Sequence, residues 1–365
     1  MKNLILQLML MISILASCKK DHQSTLKTNV SNVKKIPVSF TVSQFVQNTG
    51  SIYTQRALKA LAQKRNMVAS AVDTSVFAQA IFEYFYLVYD SSGKEIRRYI
   101  RNALSPGFLT VYQVGHNAPG GNMYSRTDND PYNVITDSLA AGTYTVVITG
   151  NTYSKNDELE IDYWDSNYSC DQPTYLPLAT AAVYTGQALD PIPRSIDIFF
   201  GKCSLTVTGP TKSDAITLNR IVGEVEVDLK DAVIPNNVSY IILGRSGELN
   251  GYFIANETPN TPTSLSPDPP ETLDNDFTNL TTADFTKGNY VMQRFVLNTI
   301  SPIDIILNAY DKNGNIIASK TIPQVQIQKN RRTILSGKLF DSSVTTQFTI
   351  TANATWGPDT APIDF

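Results

Sequence analysis

Residues 87–96 read LVYDSSGKEI, and residues 308–317 read NAYDKNGNII. Each stretch is an apolar strand pattern that ends in Tyr-Asp and is followed by two polar residues, a glycine and a second strand pattern. Aspartate and glycine at these positions are typical of tight turns, so each stretch predicts a β-hairpin. Because one copy lies in each half of the chain, the repeat predicts two related β-sandwich domains, over residues 36–210 and 211–365.

Alternating apolar and polar residues predict β-strands through most of the remaining chain. The first predicted strand is 36–46, where Val38, Phe40 and Val42 alternate with polar neighbours, and VGEVEVDL at 222–229 has the same alternation. The sequence thus predicts an all-β fold. The polar segments between these patterns predict a linker between the domains at 209–217, loops at 115–130, 154–174 and 256–289, and a short helix at 51–65.

The N-terminus has the pattern of a bacterial lipoprotein signal peptide over residues 1–17. Lys2 gives a positive start, an apolar run follows, and Ala16-Ser17 places small residues directly before Cys18. The run is too short for a membrane-spanning helix. We therefore predict cleavage before Cys18 and acylation of its thiol, with residues 18–35 as a polar tether that holds the protein outside the cytoplasm. An ordinary secretory signal with an incidental cysteine, or a buried apolar helix, is the alternative.

Composition excludes nucleic acid as a partner class. The chain carries 30 Lys and Arg against 33 Asp and Glu, a formal net charge of −3, so it has no basic excess to attract phosphates. Besides Cys18, the cysteines are Cys170 and Cys203. An extracytoplasmic compartment tolerates disulfides, so these two either bridge or remain as unpaired thiols.

The sequence shows no catalytic constellation. It contains no nucleophile elbow, no phosphate loop and no HExxH zinc motif, so we predict that the protein is not an enzyme and takes no cofactor and no metal. Asp162, Trp164 and Asp165 lie in an acidic, aromatic segment that could bind a ligand such as a sugar ring. The alternative is a plain solvated acidic loop.

The order of these segments resembles the FimB/Mfa-type fimbrial subunits, the pilus lipoproteins of Bacteroides-type bacteria. The resemblance spans nearly the whole mature chain. The stretches that carry it are IPVSFTVSQF at 36–45, FYLVYDSSGKEIRR at 85–98, LAAGTYTVVITGNT at 139–152, IDIFFGKCSLTV at 196–207, LNRIVGEVEVDLKDAVIPNNVSYI at 218–241 and AYDKNGNIIASKTIPQVQIQKNRRTILSGKLF at 309–340.

The resemblance implies two tandem transthyretin-like sandwiches on a protein that is lipid-anchored in the outer membrane, at the cell surface. In stalk subunits of this family a protease cuts after an arginine that follows the first strand, and a neighbouring subunit then supplies a replacement strand. Arg56 and Arg65 lie in the matching region, although basic residues on a solvated helix are also common. Anchor subunits keep both the lipid and the first strand.

Three functions follow in order of preference. The first is a fimbrial anchor, accessory or tip component that supports pilus assembly and adhesion through other fimbrial subunits. The second is a surface glycan-binding lipoprotein that uses the Trp164 segment or Trp356. The third is a hydrolase without a recognisable motif.

Overall fold

The computed structural model of the chain describes residues 34–44, 81, 83–103, 107–112, 123–151, 177–184, 197–231, 233–247, 249, 251–260, 278–279, 290–297, 299–341 and 348–353. All the regular elements in these ranges are β-strands, which confirms the all-β prediction. The predicted helix at 51–65 and the predicted signal peptide and most of the tether lie outside the described residues.

The first half contributes strands β1 to β10. Their bounds are β1 (Lys35–Gln44), β2 (Glu83–Tyr89), β3 (Glu95–Asn102), β4 (Phe108–Tyr112), β5 (Met123–Thr127), β6 (Val134–Ala140), β7 (Gly142–Asn151), β8 (Ala182–Tyr184), β9 (Ile198–Val207) and β10 (Lys212–Arg220). Nine of them form one sheet in the order β5-β4-β3-β2-β7-β9-β10-β1-β6.

This sheet folds back on itself at β10. The first part of β10 pairs with β1, whereas its last residues, Asn219 and Arg220, pair with Phe200 and Phe199 of β9. The strands β10-β1-β6 therefore form one layer, and β5-β4-β3-β2-β7-β9 form the other. Apolar side chains of both layers share one buried cluster, because a sheet with one apolar face must cover that face with another element.

The second half contributes strands β11 to β20. Their bounds are β11 (Gly223–Leu229), β12 (Tyr240–Ser246), β13 (Gly251–Phe253), β14 (Thr258–Asn260), β15 (Thr278–Asn279), β16 (Tyr290–Val296), β17 (Ile303–Tyr310), β18 (Ile316–Val325), β19 (Arg332–Gly337) and β20 (Thr349–Asn353). Two four-stranded sheets, β16-β11-β19-β20 and β15-β12-β17-β18, share a second buried cluster. β17 is typical, since its side chains alternate strictly between buried and half-buried.

The two halves are joined by shared structure, and residues 36–365 form one compact unit. β8 of the first half pairs with β13 of the second, and a third apolar cluster holds Leu87 and Phe200 together with Tyr252 and Ile254. A buried ion pair lies nearby, in which Arg220 binds both carboxylate oxygens of Asp197 at 2.6 and 2.7 Å. The guanidinium of Arg220 also donates to Asn330 of the second half at 3.1 Å.

The residues at the predicted boundary between the domains lie in and beside β10. The sequence places residues from 211 onward in the second domain and takes 209–217 as a linker, whereas β10 joins the sheet of the first half. Only Ile221 and Val222 separate β10 from β11, the first strand of the second half, and both are buried. The reason is that Ile216 and Leu218 of β10 are needed in the first core, where β1 packs beside them.

The two predicted hairpins form with the same turn. Asp90 Oδ1 accepts hydrogen bonds from the main-chain N–H groups of Ser92 and Lys94, at 2.9 and 3.1 Å. Asp311 Oδ1 accepts from Asn313 and Asn315 at 2.8 Å each. The glycines of the two turns, Gly93 and Gly314, have φ angles of 79° and 82°, the left-handed region that favours glycine. In both hairpins the strand register also shifts at the tyrosine that precedes the aspartate.

Candidate functional site: the first strand and its groove

β1 lies inside the first half, between two strands that come much later in the chain. It pairs in parallel with β10, from Val38 opposite Lys212 to Gln44 opposite Leu218. On its other side lies β6, and the Val42 N–H donates to Asn133 O at 2.8 Å. Parallel pairing is unusual in this half, where the other pairs with a determined register are antiparallel.

The side chains of β1 alternate between the core and solvent. Ile36, Val38, Phe40 and Val42 are buried, with Phe40 and Val42 fully excluded from solvent, whereas Thr41 and the other outward residues are exposed or half-exposed. This alternation is what a strand with one buried face requires. β1 therefore fills the groove between β10 and β6, and its four apolar side chains pack in the core between the two layers.

The groove wall opposite β1 comes from the other layer. The rings of Phe40 and Tyr86 of β2 are 5.6 Å apart and tilted by 46°. Gly201 of β9 allows the close approach of β10, because a Cβ atom there would lie 2.7 Å from the main-chain oxygen of Thr217. Glycine at this position thus lets β10 reach both β9 and β1.

Hydrogen bonds from β2 and β3 reach across the groove to β6 and the turn before it. Arg101 of β3 is buried and donates to the carbonyls of Pro131 and Val134 at 2.7 and 2.5 Å. The hydroxyl of Tyr84 donates to Tyr132 O at 2.6 Å. Burial raises the pKa of Tyr84 well above its usual range, so this phenol remains neutral and acts as a donor.

A second polar group lies further along β6. Asp137 accepts hydrogen bonds from the hydroxyls of Tyr99 and Tyr86, at 3.0 and 3.4 Å, and lies 3.4 Å from Arg97. Burial, reinforced by the nearby Asp137 charge, raises the pKa of both tyrosines. The sequence patterns did not indicate a role for these residues. A signal that could have found them is the set of three arginines in the strand sequence EIRRYIRN, because strands that carry charge on both faces are unusual.

The groove between β10 and β6 has the shape and the main-chain partners that hold a strand. Without β1, an edge of β10 and an edge of β6 would be unpaired, and the groove would expose the apolar residues that β1 now covers. Such an edge is a template for another strand, whose main chain supplies affinity while alternate side chains fill the groove.

Most of the predicted site residues lie outside the described ranges. They are Cys18, Arg56, Arg65, Asp162, Trp164, Asp165 and Cys170, and with them Trp356. Their roles stay predictions.

Cys203 lies on β9 with a half-buried side chain, and burial raises the pKa of its thiol to about 11. Its bridge to Cys170 stays a prediction, which mass spectrometry of the non-reduced protein decides. In the described part of the chain, no group of three or more His, Cys, Asp or Glu side chains is placed to hold a metal ion. Those same residues contain no helix with the length and apolar content needed to cross a membrane.

Comparison with known proteins finds similar solved structures. No protein-family model and no curated protein sequence matches the chain. A candidate polysaccharide-binding protein from Bacteroides thetaiotaomicron aligns with 87% of this chain and 98% of its own, at 11% identity and a TM-score of 0.44. A candidate cell-adhesion protein from Bacteroides eggerthii aligns with 88% and 96%, at 9% identity and a TM-score of 0.45. The fimbrial anchor protein Mfa2 from Porphyromonas gingivalis aligns with 88% and 98%, at 9% identity and a TM-score of 0.36.

Proposed function

We propose that this protein is a fimbrial subunit, an anchor or accessory component that joins a pilus to the outer membrane and acts without catalysis. The observation that carries the proposal is the position of β1. Its four apolar side chains fill the groove of the first half, and its main chain pairs with β10. A subunit that retains this strand keeps its own groove filled, which suits the base of a pilus, where no further subunit is added on that side.

The proposal includes finer features that the sequence analysis predicts, with the meeting point of the two halves placed at the end of β10. The two halves are tandem transthyretin-like sandwiches that meet at Ile221–Val222, rather than at 210/211. The thiol of Cys18 carries acyl chains that anchor the protein in the outer membrane, and other fimbrial subunits bind it by strand complementation. Asp162, Trp164 and Asp165 form a ligand loop.

The state of the N-terminus tests the proposal. If the protein is an anchor, the mature form at the cell surface begins at Cys18, the Cys18→Ala variant loses its membrane attachment, and deletion of the gene abolishes or detaches pili. If it is a polymerising subunit, the surface form begins at Ala57 or Asn66, and this form disappears in an Arg56→Ala, Arg65→Ala double variant. A Lys59→Ala, Lys64→Ala double variant is the matched control for the loss of two basic residues.

Deletion also separates the proposal from the alternative. Cells that lack the protein and still carry normal, attached pili would contradict a fimbrial role. Binding of surface polysaccharide by the purified protein, lost in Trp164→Ala, would then favour the glycan-binding function.

A further inference from the structure

Among the described strands, β6 is the end strand of the layer β10-β1-β6, so one of its edges faces away from β1. The carbonyl of Asn133, directly before β6, accepts from Val42 of β1 at 2.8 Å. Main-chain groups of successive residues in a strand point to opposite sides, so those of Val134, Thr136 and Ser138 face the outer edge. An outer edge with unpaired N–H and C=O groups is a site where another strand can add.

Groups of the same chain occupy this outer edge at both ends. At the first end, the Val134 N–H donates to Pro131 O at 2.8 Å, and Val134 O accepts from Arg101 Nη1 at 2.5 Å. At the other end, the Ser138 N–H donates to Asp137 Oδ1 at 2.7 Å, and Ser138 O lies 3.5 Å from Arg97 Nη2. An incoming strand would have to displace all four contacts.

The two arginines are well placed to hold these contacts. Both belong to β3 in the opposite layer, four residues apart, so their side chains reach the edge of β6 at two points along its length. Arg101 is 1% exposed and also donates to the carbonyls of Asp130 and Tyr132 at 2.8 and 3.1 Å. Hydrogen bonds from a charged donor in a buried site are stronger than neutral ones. Displacing Arg101 would leave a buried guanidinium with fewer acceptors, which is costly.

We propose that Arg97 and Arg101 close the outer edge of β6 to strand addition, so that a strand can enter this layer only at the position of β1. The inference rests on the proposed function for the identity of that strand, since a fimbrial partner would supply it. The closure itself is a property of the folded protein. The second half uses a similar contact. Arg245 of β12 donates to Phe295 O of β16 at 2.8 Å, and β16 is the end strand beside β11.

The test uses the purified protein with Arg101→Met and, separately, Arg97→Gln. Methionine keeps a long apolar stem but has no donors for the carbonyls of β6. Arg97 has a side chain that is 29% exposed, so its replacement leaves the core intact if Arg101→Met fails to fold. Arg126→Gln is the matched control, because Arg126 is also an arginine near Tyr99 and its side chain is exposed. Its guanidinium carbon lies 5.7 Å from the centroid of the Tyr99 ring.

Hydrogen exchange and light scattering provide the readouts. At low protein concentration we expect the Val134 amide to exchange about tenfold faster in Arg101→Met, and the Ser138 amide about tenfold faster in Arg97→Gln. We also expect a concentration-dependent dimer in which β6 regains protection, while wild type and Arg126→Gln stay monomeric. A folded variant that remains monomeric with unchanged exchange in β6 would overturn the inference, and so would a dimer that protects a different strand.

The outcome is separable from that of the proposed function. Edge closure is measured on the purified protein and needs no pili. A closed edge in a protein whose deletion leaves pili normal would contradict the fimbrial role alone. An edge that proves open in a protein required for pili would contradict this inference alone.

Discussion

β1 and β11 are the first strands of the two halves, and they occupy similar places. β1 lies between β10 and β6, and β11 lies between β19 and β16. Each pairs in parallel with a strand from the later part of its own half, β1 with β10 and β11 with β19. Each also presents alternating apolar side chains to its core.

The two strands differ in how they are held. β11 follows β10 after two buried residues, and its Glu224 and Glu226 contact Arg332 of β19 at 3.0 and 3.3 Å. β1 is held by apolar burial and main-chain pairing, and the next described strand, β2, begins only at Glu83. Strands at the same position in a sheet are therefore held differently: β11 has a short buried connection and ion pairs in addition to its pairing, whereas β1 has apolar burial and main-chain pairing.

The largest expected effect comes from emptying the groove. Phe40→Ala removes a fully buried ring from β1 and should lower the free energy of unfolding by about 3–5 kcal/mol. The amides of β1 and β10 should exchange faster, whereas those of β11 and β19 should not. Urea unfolding and hydrogen exchange measure both effects. Thr41→Ala, on the exposed face of the same strand, is the control, and equal effects of the two changes would show that β1 is not seated in a groove.

The next largest effect concerns the ion pairs of β11 with Arg332. Glu224→Gln removes the charge from a carboxylate that Arg332 contacts at 3.0 Å, and we expect a loss of about 2 kcal/mol because Arg332 keeps Glu226. Glu257→Gln breaks a more exposed ion pair with Lys202 and should cost much less. Chemical unfolding of the two variants compares them. If Glu224→Gln loses less stability than Glu257→Gln, the ion pair with Arg332 does not explain how β11 is held.

The repeated hairpins provide a comparison in which the halves should behave alike. Gly93→Ala and Gly314→Ala each place a side chain at a positive φ angle, so each should cost about 1–2 kcal/mol. Gly209→Ala is the control, since a Cβ atom there would meet nothing within 4 Å. Thermal unfolding of the three variants is sufficient. Clearly unequal losses at Gly93 and Gly314 would mean that the two turns are not energetically equivalent.

The smallest effect is a dependence of stability on pH. Hydrogen bonds from Ser92 lower the pKa of Asp90, and hydrogen bonds from Asn315 lower the pKa of Asp311. A lowered pKa in the folded state gives stability that is present above the unfolded pKa and is lost as pH falls through the folded pKa. Asp90→Asn and Asp311→Asn should therefore each flatten the decline of stability between neutral pH and about pH 3. Ser91→Ala changes an exposed residue of the same turn and should leave the decline as in wild type.

Local patterns of the sequence were sufficient to predict much of the fold. The two hairpins, the alternation of β1 and the alternating VEVD stretch of β11 all follow from periods of two and from turn residues, which depend on near neighbours alone. The predicted loop at 115–130 contains β5, and the one at 256–289 contains β14 and β15. These are short strands at sheet edges, whose polar composition resembles that of loops.

The pairing of the candidate site could not be predicted in the same way. The alternation of Ile216 and Leu218 in β10 was present in the sequence, but the preceding Gly-Pro pair made the segment resemble a linker. The burial of Arg101 depends on the main-chain carbonyls of Pro131 and Val134. Pro131 lies 30 residues after Arg101 in the chain, so no local pattern connects the two. A run of arginines alone is typical of a solvated face, so nothing local indicated that these side chains would close an edge.

The parallel pairing of β1 with β10 also determines when the protein can finish folding. The side-chain oxygens of Ser43 and Thr217, Oγ and Oγ1, are 3.4 Å apart, although Thr217 lies 174 residues later in the chain. Contacts of such long range form slowly, because a long loop must close before they contribute. Among the described strands β1 is synthesised first, yet it cannot dock until β10 has followed it. For that interval the nascent chain presents an apolar strand and an open groove together, so we expect it to depend on a holding chaperone until Leu218 has been synthesised.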